Sequence, residues 1–88
     1  MEYEWDKAKR RSNLAKHGVD FADVERFDWT SAIERADTRR PYGERRWRSL
    51  GLIDGILHML VHTRRAQRVR VISMRKASRK EKADYAEN

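Results

Sequence analysis

Apolar positions in the first thirty residues are sparse and helically spaced, whereas beyond about residue 31 they come in strand-length runs broken by turn residues. Ala8, Leu14 and Ala15 make a thin stripe. Asp6 is placed to cap a helix over 7–16, and Gly18 is placed to close it in a left-handed conformation. Such a helix is held by packing rather than by its own propensity. Asp20 then caps a second helix, in which Phe21, Val24 and Phe27 recur every three positions.

Past residue 31 four strands are predicted, over 31–38, 44–53, 56–63 and 68–74. Arg40-Pro41-Tyr42-Gly43 is turn chemistry between the first two, because Pro fixes one backbone angle and Gly adopts positive ones. Asp54-Gly55 is a hairpin signal between the second and third. Arg64-Arg65-Ala66-Gln67 reads as a polar loop before the fourth. Short links imply an antiparallel meander. Ser78 and Glu81 form a capping box that opens a last helix to about residue 86. The expected architecture is a single α+β domain over 1–88: two N-terminal helices, a four-stranded antiparallel sheet and a C-terminal helix.

Charge narrows the choice of partner. Hydrophobic residues are 39% and charged residues 40%, and the formal charge is +7; 15 of the 21 cations are Arg. Arg presents a planar fork that matches phosphate oxygens, so polyanions are the expected partners. Scattered cations and the lack of an apolar stretch near the ~18 residues of a span argue against a membrane. With no Cys and no signal-like N-terminus, a cytoplasmic protein without disulfides is expected.

Several blocks in order resemble one family. Glu4-Trp5-Asp6, Lys9, Asn13, Lys16-His17-Gly18-Val19 and Phe21 are similar to the opening signature of the BrnT toxins. Tyr42-Gly43-Glu44-Arg45-Arg46, Gly51, the run from Arg70 to Ala77, and Glu81 with Tyr85 resemble its later blocks. The resemblance covers nearly the whole chain. It implies a RelE-like fold, an RNA-cleaving activity that stops translation, and RNA as substrate. It also implies a BrnA-like antitoxin in a heterotetramer or larger complex, which reaches operator DNA through the antitoxin.

RNA cleavage without a metal needs a base for the 2′-hydroxyl, cations for the phosphorane and an acid for the leaving oxygen. His58 and His62 lie roughly 13 Å apart along one strand face, which does not suit a metal cluster, and no cofactor is expected. Arg46 and Arg48 share a strand face, as do Arg68 and Arg70, the latter in line with Ile72 and Met74. Facing each other they make a basic floor for an RNA backbone; apart, they serve solubility or edge salt bridges. Lys16-His17 offers a phosphate grip and a proton carrier, or simply cations at a helix C-terminus. Arg75 and Lys76 precede a helix N-terminus. The candidate catalytic set is therefore Lys16, His17, Arg46, Arg70 and Arg75, with Arg48, Arg64, Arg68 and Lys76 as RNA contacts. His62 and Tyr85 are further candidates, but His62 reads first as a solvent-facing or packed residue and Tyr85 as one packed on the sheet. Trp5 and Trp47 read as core, and Trp29 as part of the link to the sheet. The alternative function is a non-catalytic nucleic-acid-binding or regulatory module, although no helix-turn-helix recognition helix is evident.

Overall fold

Asp6 ends one element and begins the next in the computed structural model, which describes residues 1–88. Before it, Glu2–Trp5 forms a strand, β1. After it comes α1, Lys7–His17, where the Asp6 carboxylate accepts from the N–H groups of Ala8 (2.7 Å) and Lys9 (3.2 Å). Gly18 closes α1 at φ +70°, a left-handed angle that favours Gly. Asp20 caps the next segment through Ala22 N–H and is itself gripped by Arg10 at 2.7 and 3.0 Å.

That next segment, Phe21–Arg26, is a 3-10 helix rather than an α-helix. The reason lies in the step of Phe21, Val24 and Phe27. Three residues per turn stacks such positions directly, and all three point into the core. The strands β2 (Ile33–Ala36), β3 (Trp47–Ile53), β4 (Ile56–Arg65) and β5 (Arg68–Lys76) follow, and α2 (Arg79–Ala86) ends the chain.

The sheet has five strands in the order β1-β5-β4-β3-β2, with β1 parallel to β5 and the other pairs antiparallel. The expectation of a four-stranded antiparallel sheet behind two N-terminal helices is therefore corrected. Glu2–Trp5 alternates out and in, with Tyr3 and Trp5 packed on the core and Glu4 paired with Arg70. This strand is too short to announce itself, and its partner lies at the other end of the chain. Two predicted strands are longer than β2 and β3, because residues 37–46 leave the ladder to form a loop. Asp54 and Gly55 take positive φ angles in the hairpin, as Asp-Gly demands.

Val19, Phe21, Val24 and Phe27 pack on Ile53, Leu60, Val71 and Met74 across one sheet face. Phe27 lies over Gly51 so closely that a Cβ there would sit 2.3 Å from its ring. The second face is thinner: Leu50, Leu57 and Met59 take the cover of Ala77 and Tyr85 from the α2 region.

One irregularity in β5 governs the rest. Val61 pairs with Ser73 but His62 pairs with Val71, so Ile72 is an extra residue, a β-bulge. Parity flips there. Met74 turns to the core, and Arg70, Ser73 and Arg75 come to share the opposite face. The expected line of Arg68, Arg70, Ile72 and Met74 is thus broken after Arg70.

His62 is fully buried on the core face. Its Nε2 is 3.0 Å from Ser49 Oγ and 3.2 Å from Glu34, Nδ1 has no partner, and the ring meets Trp29 edge-on. Burial pulls its pKa down to about 4, outweighing the Glu34 carboxylate, with Arg64 adding to the fall. Between the unfolded value near 6.5 and this one, the unfolded chain takes a proton that the folded chain refuses. Stability therefore falls as pH drops through that window, by roughly 3 kcal/mol at full effect. Denaturation midpoints from pH 7 to 4 should show this slope, and a His62→Gln variant should flatten it.

Candidate functional site

Between β2 and β3 the chain folds around a buried acid. Asp37 Oδ1 accepts from Arg39 Nε (2.8 Å), and Oδ2 accepts from Arg39 Nη2 (2.8 Å) and the Tyr42 hydroxyl (3.1 Å). The Arg39 hydrogen bonds hold this carboxyl well below the usual range despite its burial. Asp37 N–H donates to Arg46 O at 2.8 Å and closes the loop onto the sheet. Arg46 then lies over the Tyr42 ring, 4.1 Å from its centre, with its Nε donating to Glu44 at 3.0 Å.

The folded loop walls a concavity of about 410 Å³ on the thin face of the sheet. Met59, Val61 and Ile72 form its floor; Arg39, Arg40 and Tyr42 reach in from the loop; Arg46 and Arg48 stand on one side, Ser73 and Arg75 on the other. Five guanidiniums thus face one volume. Arg75 is held by Glu81 through Nη1 (2.8 Å) and Nη2 (2.9 Å), and Arg48 Nη2 is 3.7 Å from the same carboxylate. Hydrogen bonding to Arg75, with help from Ser78, brings the Glu81 pKa to about 2 against the effect of burial. Arg48 Nε is buried without a partner.

Of the residues singled out in the sequence, the fold brings together Arg46, Arg48 and Arg75. The bulge at Ile72 is what carries Arg75 to this face. Arg70 and Arg68 stay outside the concavity, donating to Glu4 (2.6 Å) and Glu2 (3.0 Å) across the β1–β5 pair. Arg64 donates to Glu34 at 2.9 Å and flanks the Trp47 ring, with Arg45 also beside it. His62 lies beneath the other face. Tyr85 packs on the small cluster and donates to Ser31 O at 3.0 Å. Lys16 and Lys76 are exposed. His17 is half-buried at the end of α1, its pKa lowered by burial and then by the charges of Lys16 and Arg75. Trp5 and Trp29 border the core, Trp29 donating to the Tyr3 hydroxyl at 2.7 Å.

Sequence reasoning assigned no site role to Arg39, Arg40, Tyr42 or Ser73. The signal was present in part: an Asp two residues before an Arg pair, then a Pro-Tyr-Gly turn, is a loop able to order its own arginines. No three His, Cys, Asp or Glu side chains gather to hold a metal ion, and no helix is long and apolar enough to cross a membrane.

No protein of curated function matches the sequence. A family profile does, over residues 5–81, and this stretch contains every residue that lines the concavity. Its description is that of a ribonuclease toxin, BrnT, of a type II toxin-antitoxin system. An arginine-lined hollow suited to a phosphodiester and a match over most of the chain agree, and the chain belongs to the BrnT family of ribonuclease toxins.

Proposed function

We propose that this protein cleaves RNA in the arginine concavity, without a metal ion, by attack of a ribose 2′-hydroxyl on the adjacent phosphate. In that reaction O2′ loses its proton and bonds to phosphorus, the P–O5′ bond breaks, and O5′ takes up a proton. The products are a 2′,3′-cyclic phosphate and a 5′-hydroxyl. The observation that carries this reading is the convergence of Arg39, Arg40, Arg46, Arg48 and Arg75 on one volume. Fixed cations aimed at a site of growing negative charge lower the barrier without reorganising.

Tyr42 is the proton-exchanging group assigned within the concavity, since its hydroxyl is oriented by Asp37 and its ring is fixed under Arg46. His17 and Lys16 are assigned to RNA that extends towards the end of α1. There His17 stays neutral to lower pH than an ordinary His, in the form that accepts a proton. Lys76 supplies a further backbone contact, whereas Arg64 and Arg68 bring charges already offset by Glu34 and Glu2. The neutralising partner is a BrnA-like antitoxin whose acidic side chains cover the concavity.

The test is product chemistry. End-labelled RNA incubated with the purified protein and excess EDTA should yield cyclic-phosphate and 5′-hydroxyl ends. A strand with 2′-deoxyribose at the cleavage position should remain intact. Cleavage that stops on chelation, or that proceeds through the deoxy position, would remove the mechanism.

A further inference from the structure

Glu81 is engaged well beyond its part in capping α2. Oε1 accepts from Ser78 N–H at 2.8 Å, which completes the capping box. The same carboxylate takes Arg75 end-on, Nη1 on Oε1 and Nη2 on Oε2, and holds Arg48 Nη2 at 3.7 Å from Oε2. A helix cap needs none of the last three contacts. Only 13% of the Glu81 side chain is exposed, so water does little to loosen them.

A guanidinium gripped at its end keeps its lateral edge. In Arg75 that edge is Nε–H together with the outer Nη2–H, and neither donates to any protein acceptor; the remaining Nη1–H leans towards Lys76 O at 3.3 Å. Arg75 lines the concavity. Two parallel donors at this spacing match two oxygens of one phosphate group.

We propose that Glu81 is a positioning residue that acts through Arg75: it fixes the guanidinium end-on so that the lateral fork is presented to two non-bridging oxygens of the scissile RNA phosphate, with Arg48 held alongside. The proposal rests on the reading of the concavity as the cleavage site. Its physical basis is preorganisation. A long Arg side chain without Glu81 samples many rotamers, and the fork must be found anew in each reaction. Glu81 also brings a negative charge close to the phosphate. Its removal should therefore leave ground-state RNA binding as tight or tighter while slowing the chemical step.

That pairing of effects is the readout. Glu81→Gln keeps a side chain that can complete the capping box, but it cannot hold Arg75 end-on through two carboxylate oxygens. Cleavage kinetics should show kcat lowered roughly 10- to 100-fold, with KM unchanged or reduced. In an Arg75→Ala background the same change should cost kcat far less than in the wild type, since only the longer contact with Arg48 is left to lose. Ser78→Ala weakens the cap and leaves the carboxylate in place, so it should lower the melting temperature and spare kcat. Binding of a 2′-deoxy RNA analogue, followed by fluorescence anisotropy, separates affinity from chemistry.

Independent, multiplying effects of Glu81→Gln and Arg75→Ala would overturn the proposal. So would a kcat loss in Ser78→Ala as large as that in Glu81→Gln, which would mean that Glu81 only steadies α2. A rise in kcat for Glu81→Gln would also overturn it, because Glu81 would then be a stand-in anion that RNA must displace. If Glu81→Gln does not fold, Glu81→Asp retains the charge with a shorter reach and should show the same split of kcat from KM. A wild-type protein that neither cleaves RNA nor binds the analogue would fail both readings. Normal cleavage by both wild type and Glu81→Gln would fail this one alone.

Discussion

Arg46→Ala is expected to slow RNA cleavage by about 100- to 1,000-fold while leaving the fold intact, the scale seen when one fixed donor is removed from a charge-stabilising site. Its guanidinium is largely buried, lies on the Tyr42 ring and is steadied by Glu44, so its position is set before RNA arrives. Its loss removes one cation in five from the concavity and also uncovers the ring of Tyr42, the proton-exchanging group proposed above. Arg70→Ala is the matched control. Arg70 is committed to Glu4 outside the concavity, so cleavage should change by no more than a few-fold while stability falls slightly. Single-turnover cleavage of labelled RNA and thermal melting of both variants decide the matter. Equal losses from the two substitutions would move the site towards the β1 edge.

The largest effect on stability is expected at Asn13. The parallel partner β1 stops at Trp5 opposite Val71, and past the bulge the edge of β5 would be bare. Asn13, buried on α1, fills that gap: Nδ2 donates to Met74 O at 2.7 Å and Val19 O at 3.0 Å, and Oδ1 accepts from Met74 N–H at 3.2 Å. One side-chain amide thereby pairs with Met74 as a strand residue would. Asn13→Ala leaves three backbone groups without partners, each costing about 1–3 kcal/mol when buried. Water entering the gap recovers part of that, so a loss of about 3 kcal/mol is expected in urea denaturation. A variant that melts with the parent protein would show that the β5 edge needs no such closure.

Much of the chain could be read locally. Asp6 and Gly18 mark the ends of α1, Asp54-Gly55 the hairpin, and Ser78 with Glu81 the start of α2, because each signal involves residues within a few positions of one another. What escaped depends on distant partners. Glu2–Trp5 pairs with Arg68–Val71, and nothing near either segment announces it. The bulge is hidden for a different reason. Val71 and Ile72 are both apolar, so alternation does not show which of them is the extra residue. That ambiguity left Arg75 justified only by a nearby helix N-terminus, while Arg70 escaped for the other reason, since its partner Glu4 sits on the unannounced strand β1. Arg39 was passed over because a loop arginine reads as solvated until a buried carboxylate such as Asp37 is known to hold it, and Arg40 beside it carries no local signal of its own.

The pairing of Glu2 with Arg68 ties the first strand to a segment 66 residues later, and this has a temporal consequence. Loop closure over most of a sequence is slow, and it cannot start before the later segment exists. A growing polypeptide that stops short of β5 has neither the docking edge for its first strand nor the wall that carries Ser73 and Arg75. If the concavity is the cleavage site proposed above, cleavage can begin only once β5 has been made.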